Sequence, residues 1–382
     1  MKTVGIFGGG QLGSMLSHSL FKLDANVAVF DENTQTPCSR QVNLFFGEKY
    51  NDLEKLKEFN KLTDIITYEF ENIPYDTIAF FKDKCLPNAD VLKICQNRIY
   101  EKDFLAQNDL PIVNYLTVGK FADLDKINNS LNFPFIIKSA SGGYDGKSQF
   151  IINDESEFNI CKTNLKNKPG FFPCIVEEKV DLYKEVSLII GRSISGKIIN
   201  YPIIENFHKQ NVLAYSVYPA QIDNTIHKKI VEYGHKLVKA INLTGLIVIE
   251  LFLSKELDNI KIYINELAPR PHNSGHLTIK AFNYSQFDLL AKILLQLPVY
   301  KPKFILNGSV CMVNIFGDSY LNSKSGNLNL NDCFKCSNLI DFNLYGKLKP
   351  ASARKMGHLT VLSENNQTAI NLGLNLLNSL SS

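Results

Sequence analysis

An alternating α/β fold passing into a smaller α+β segment is what this sequence predicts, and three observations predict it. The chain opens on a strand, a glycine turn, a helix and a second strand. Short apolar runs rich in β-branched residues then recur between helical stretches and end repeatedly in carboxylates, which open α/β sheets place at their ligand-binding edge. At 382 residues the chain exceeds one ordinary hydrophobic core and suits two or three domains.

Composition narrows the class. With 45% hydrophobic and 21% charged residues, the chain is that of an ordinary globular protein. A net charge of +3 without a dense Lys/Arg run leaves no electrostatic footprint for nucleic acid, so the cationic side chains are expected to serve small anions. Gly8, Gly9 and Gly10 interrupt the N-terminal apolar run before it reaches signal-peptide length. No segment approaches the length of a membrane span. Eight cysteines are scattered and Cys333 and Cys336 form a lone CxxC, so reduced thiols and a cytoplasmic location are expected.

The opening βαβ unit comprises a strand over Thr3 to Phe7, a helix over Ser14 to Leu23 and a strand over Asn26 to Phe30. Gly8, Gly10 and Gly13 match the dinucleotide fingerprint, and Asp31 ends the second strand. The same turn also serves close helix packing or another phosphate, and nothing downstream resembles a nicotinamide site. Asp64 to Tyr68 is a buried strand running into Glu69, Phe70 and Glu71, which are either ligand groups or a solvated cap. Gln96 to Asn108 has helical spacing, and Leu110-Pro111 ends it near a domain boundary.

Phe133 to Ser139 is a strand carrying Lys138 in an apolar setting, followed by SGGYDGKSQ. Because Gln149 and Phe150 begin another strand, this is a glycine hairpin and not a Walker loop. Its backbone N–H groups can approach phosphates while Lys138 supplies charge. Cys174 to Glu178 and Lys184 to Gly191 are further strands, and Glu205 and His208 in IIENFHKQN are candidate active-site groups. Ile226 to Leu243 is an amphipathic helix.

Leu246 to Phe252 buries Glu250 among aliphatic residues, and Ile264 to Thr278, INELAPRPHNSGHLT, adds Asn265, Glu266, Arg270, His272, Asn273, Ser274 and His276. Two acids on neighbouring strands supply hard oxygen ligands of the kind Mg²⁺ shares with nucleotide phosphates. A helix over Ser285 to Leu295 closes this region, Pro298 and Pro302 mark a boundary, and a small α+β cap follows, too short to bury a core alone.

GGGQLG at 8–13, YEFEN at 68–72, SGGYDGKSQ at 141–149, EVSLI at 185–189, YPIIENFH at 201–208, NELAPRPHNSGH at 265–276 and RKMGHLT at 354–360 appear in family order over nearly the whole chain. On these motifs the chain resembles the ATP-grasp ligases, and among them the 5-(carboxyamino)imidazole ribonucleotide synthases. The resemblance implies an ATP-grasp architecture. A Rossmann-like N-terminal (preATP-grasp) domain would span 1–98. An ATP-grasp domain would span 99–298, with a lid subdomain at about 110–180, and a C-terminal α+β cap would span 299–382.

It implies carboxylation of 5-aminoimidazole ribonucleotide by bicarbonate and ATP through carboxyphosphate, in purine biosynthesis. ATP and Mg²⁺, with Mn²⁺ as a substitute, would be the cofactors, and the protein would be a homodimer without nucleic-acid or membrane partners. Arg270, Asp145 and Lys138 would be catalytic, and Glu250 and Glu266 would hold the metal. ATP would meet Arg98, Lys138, Gly143, Tyr144, Asp145, Gly146, Lys147, Ser148 and Gln149. It would also meet an adenine-reading edge strand of Glu177, Glu178, Lys179 and Val180, and Glu185, His208, Asn265 and Glu266. The ribonucleotide and carboxyphosphate would meet Gln11, Leu12, Glu71, Tyr144, Asp145, His272, Asn273 and Ser274, with Lys347, Arg354 and Lys355 from the cap.

One position departs from the family pattern: Ala353 stands where a glycine is usual, so that turn would differ if it needs positive φ. The rival readings are another ATP-grasp ligase, such as a formate-dependent glycinamide ribonucleotide transformylase, a nucleotide-binding protein without catalysis, and an NAD enzyme built on Gly8 to Gly13.

Overall fold

The computed structural model describes residues 1–142, 149–256 and 259–381. Among these, strands gather into three sheets. The first is parallel, with β1 (Thr3–Phe7), β2 (Asn26–Phe30), β3 (Leu44–Phe46) and β4 (Ile65–Tyr68) in the order β3-β2-β1-β4. Helices cover both faces, which is why VGIF and VAVF are nearly continuous apolar runs. Phe7, Phe30 and Phe59 fill one side with ring centroids 5.3–5.5 Å apart. The strand order reverses around β1, so the crevice beyond the C-terminal ends of β1 and β4 is the natural ligand position of this sheet.

The second sheet is antiparallel, with β5 (Tyr115–Val118), β6 (Phe135–Ser139), β7 (Gln149–Ile152) and β8 (Cys174–Glu178) in the order β5-β8-β6-β7. The helix Glu155–Leu165 covers one face through Phe158, Cys161 and Leu165. β8 is therefore interior, and the expectation of an edge strand at Glu177 is corrected. Tyr115 pairs it on one side and Ile136 on the other.

The third sheet holds β9 (Leu182–Arg192), β10 (Ile198–Asn200), β11 (Ile204–Lys209), β12 (Val212–Tyr218), β13 (Gly245–Glu256) and β14 (Asn259–Ala268). It continues through β15 (Ser309–Phe316), β16 (Leu339–Leu344) and β17 (Lys355–Ser363). The order is β14-β13-β9-β11-β12-β15-β17-β16, with β10 on β9. β12 pairs β15 over Tyr215–Tyr218, so the C-terminal segment extends the central sheet and does not build one of its own. A segment this small buries little alone, and sharing a sheet gives it a core. The helix Asn366–Ser379 closes that core with Ala369 and Leu376 over Val313 and Val361.

The helix Gln11–Phe21 locks the first sheet to the third. Leu16 and Leu20 share a core with Leu289, Leu290 and Ile293 of the helix Gln286–Leu294, and Ser19 donates to Asp288 at 2.7 Å. All eight cysteines are free thiols, and among the described residues no helix is long and apolar enough to cross a membrane.

Candidate active site

A cavity of about 510 Å³ opens where the three sheets meet. β13 and β14 supply its acidic wall. Glu250 and Glu266 are cross-strand partners, and the register slips immediately afterwards, so that Leu251 faces Ile264. Asn265 is the extra residue of this bulge, and it lines the cavity beside Glu266 where a regular strand would turn it away.

Glu266 is open to the cavity but crowded by protein, and its pKa is raised by lost solvation first and by the Glu250 charge second. Burial alone would also raise Glu250, yet His272, with Nε2 3.0 Å from the Glu250 carboxylate, outweighs it and holds the group well below its usual range. Two like charges face to face, with an amide oxygen beside them, form a hard-oxygen donor set that a divalent cation would relieve. The residues present fit Mg²⁺.

Arg270 reaches across from the third sheet to the first. Its Nε and Nη2 donate to the two oxygens of Glu71, at 2.5 and 2.9 Å, and its Nη1 to the Pro271 carbonyl at 3.0 Å. This bidentate pair holds Glu71 below the ordinary carboxyl range despite its burial. Two expected site residues thus meet in one ion pair within the cavity.

Gln11 and Leu12 also line the cavity, but the glycine turn before them is filled from within. Gly10 and Gly13 donate their amides to Glu69, and Gly9 donates to Asp31 at 2.7 Å. A Cβ at Gly8 would lie 2.5 Å from Glu69, and one at Gly10 would lie 2.4 Å from it. The glycines make room for a protein carboxylate in the place where a pyrophosphate would sit, and the NAD reading falls.

Lys138 lines the cavity from β6 and pairs with Glu177, which Lys102 also holds at 3.0 Å. Burial raises the Glu177 carboxyl, but the two ammonium groups bring it down to about 2. Glu177 acts here through its side chain, behind the cavity wall. Glu178 and Lys179 leave β8 with their amides bonded to Asn114 and Pro134, and neither they nor Val180 line the cavity.

Arg98 opens the helix Arg98–Gln107, donates to the Ser139 carbonyl at 3.0 Å and lines the cavity, as does Gln149. His208 sits on a β11 bulge with Nδ1 2.5 Å from Glu185, and that carboxylate raises the imidazole pKa against the effect of burial. Glu205, by contrast, pairs with Lys184 at 2.5 Å and does not reach the cavity.

His272 and Asn273 line the cavity, but Ser274 does not. Its hydroxyl is fully buried between Ser187 and the His272 ring, at 2.9 Å from each, so the expected ligand contact is corrected to support of His272. From the C-terminal segment Lys355 enters the cavity. Lys347 donates instead to the Lys355 carbonyl at 2.9 Å, and Arg354 is exposed and donates to the Lys349 carbonyl; neither lines the cavity. Ala353 adopts φ +57°, the left-handed conformation that its alanine put in question, and Asp318 ties the turn through the Ala353 amide and the Ser352 hydroxyl at 2.8 Å each.

Gly143, Tyr144, Asp145, Gly146, Lys147 and Ser148 lie outside the described residues. Sequence reasoning passed over Ile136, Ile151, Leu213 and Phe252, which give the cavity its apolar lining. Three of them stand two residues from an expected site residue on the same strand, beside Lys138, Gln149 and Glu250, and therefore share its face.

Three domain families match the chain: a ribonucleotide synthetase preATP-grasp domain over residues 1–96, an ATP-grasp domain over 103–287, and a phosphoribosylaminoimidazole carboxylase C-terminal domain over 310–371. The N5-carboxyaminoimidazole ribonucleotide synthase of Bacillus subtilis is 34% identical over 363 residues, covering 94% of this chain and 91% of its own length. That of Staphylococcus aureus strain COL is 35% identical over 96% of this chain and 94% of its own. The crystal structure of the Staphylococcus aureus N5-carboxyaminoimidazole synthetase complexed with ADP superposes with a TM-score of 0.89 at 31% identity, covering 98% of this chain and 97% of that one.

Proposed function

The chain belongs to the N5-carboxyaminoimidazole ribonucleotide synthase family, and we propose that it carboxylates 5-aminoimidazole ribonucleotide with bicarbonate and ATP. ADP and phosphate leave, and the step serves purine biosynthesis. The observation that carries this reading is one cavity lined together by Lys138, the facing carboxylates Glu250 and Glu266, the Arg270 guanidinium and, from the C-terminal segment, Lys355.

Arg98 and Lys138 hold the ATP phosphates, Glu185 accepts from the ribose hydroxyls, and His208 orients Glu185. Glu250 and Glu266, with Asn265, hold Mg²⁺ or Mn²⁺, which neutralises phosphate charge. Arg270 retains N–H groups beyond those given to Glu71, and it orients a bicarbonate oxygen toward the terminal phosphorus. That P–O bond forms as the bond to ADP breaks, giving carboxyphosphate. Its carboxyl carbon then passes to the ribonucleotide amine, releasing phosphate.

Lys355 holds the ribonucleotide 5′-phosphate, and Glu71 faces the aminoimidazole. The apolar lining excludes water, which matters because carboxyphosphate hydrolyses. A twofold homodimer in the cytoplasm is the assembly we propose, since closed twofold symmetry is the commonest. The test is ADP release from ATP, Mg²⁺ and bicarbonate, with and without 5-aminoimidazole ribonucleotide. Strong stimulation that requires bicarbonate supports the reading, and no stimulation in protein that binds ATP refutes it.

A further inference from the structure

The 3-10 turn Asn273–Leu277 faces two ways. Toward the cavity, the residue before it, His272, touches Glu250 at 3.0 Å. Toward the C-terminal strands, Asn273 and Asn314 of β15 exchange two side-chain hydrogen bonds, at 3.0 and 2.5 Å. Asn314 is fully buried and also donates to the Leu213 carbonyl at 2.8 Å. His276 is fully buried with neither ring nitrogen hydrogen-bonded, and its ring stacks on His358 of β17 at 4.6 Å.

His358 is held in turn by the Tyr345 hydroxyl at 2.9 Å and lies 3.4 Å from Asp341. Asn314 and His358 are cross-strand partners, and Lys355 enters the cavity three residues before His358 on the same strand. Buried amides that lose a partner are costly, so the Asn273–Asn314 pair is expensive to open, and the stacked His276 and His358 rings pack beside it.

We propose that Asn314 and His358 are positioning residues that act through Asn273 and His276: together they set the turn that aims His272 at Glu250 and hold Lys355 over the same cavity. The cation-binding strand and the cap lysine are thereby kept in one register. The inference rests on the reading of Lys355 as the 5′-phosphate ligand.

Two full-length variants test it, Asn314→Leu and His276→Ala. In ADP-release assays the KM for 5-aminoimidazole ribonucleotide should rise about tenfold in both, the scale of one lost buried contact. Affinity for ADP alone should be unchanged. Unchanged KM in both variants overturns the proposal. So does a parallel loss of ADP affinity and melting temperature, which marks a purely structural role. A second readout needs no substrate. In ¹⁵N-histidine-labelled protein the His272 ring resonance, identified by its loss in His272→Gln, should shift in Asn314→Leu as the Glu250 contact loosens. An unmoved resonance overturns the proposal even if the wild type ignores the ribonucleotide, an outcome that would refute only the proposed substrate.

Discussion

Ala353 and Glu266 show how much single residues carry. Alanine at φ +57° bears a left-handed cost of about 1–2 kcal/mol, larger than the roughly 0.5–1 kcal/mol of extra chain entropy a glycine would lose on folding. Ala353→Gly should therefore raise the melting temperature by a degree or two, and a fall in a thermal melt would contradict the assignment. Glu266→Gln removes one of two facing charges while keeping size and strand register. ADP release should drop by orders of magnitude with the melting temperature preserved, and near wild-type turnover would remove Glu266 from the proposed cation site.

Side-chain chemistry was legible at this scale, because an acid inside an apolar run announces a partner. Side-chain direction was not. The family motif implies a ligand contact for Ser274, and only the pairing with Ser187 turns it inward. Asn265 reaches the cavity through a bulge that no local spacing encodes.

At the scale of elements, the helix Arg98–Gln107 fixes β14 through two buried ionisable side chains. Lys102 donates to the carbonyls of Ile264 and Asn265 at 3.1 and 3.2 Å, and Glu101 accepts from the Leu267 amide at 2.9 Å. Burial, opposed by Lys102, pushes Glu101 up to about 8 from its ordinary 4.5. The folded protein thus keeps this proton over a range in which the unfolded chain has lost it. Stability is lost as pH rises from the unfolded value through the folded one. Glu101→Gln, neutral at every pH, should gain melting temperature relative to wild type at pH of about 8 more than at about 5. An equal difference at both would place the charge elsewhere.

The strands at Thr3–Phe7, Asn26–Phe30 and Cys174–Glu178 coincide with their sequence expectations because turn residues or carboxylates bound short apolar runs. The position of Cys174–Glu178 inside its sheet did not follow, since pairing partners are set by tertiary contacts and not by composition.

Across the whole molecule the cavity exists because three sheets are locked together: the first against the third through Leu16, Leu20 and Ser19, and the C-terminal strands through β12 and β15. The α/β class and the ATP-grasp architecture were legible from motif order. The continuity of the C-terminal segment with the central sheet was not, because a short α+β run reads the same whether it stands alone or extends a neighbour.

The central claim is that this cavity activates bicarbonate by phosphorylating it beside the ribonucleotide. The most direct test is turnover with ¹⁸O-labelled bicarbonate, ATP, Mg²⁺ and 5-aminoimidazole ribonucleotide, followed by mass analysis of the phosphate. One ¹⁸O should appear in the phosphate for each ribonucleotide carboxylated, because the oxygen that attacks phosphorus leaves with it. Phosphate without ¹⁸O, its fourth oxygen taken from solvent, would contradict it.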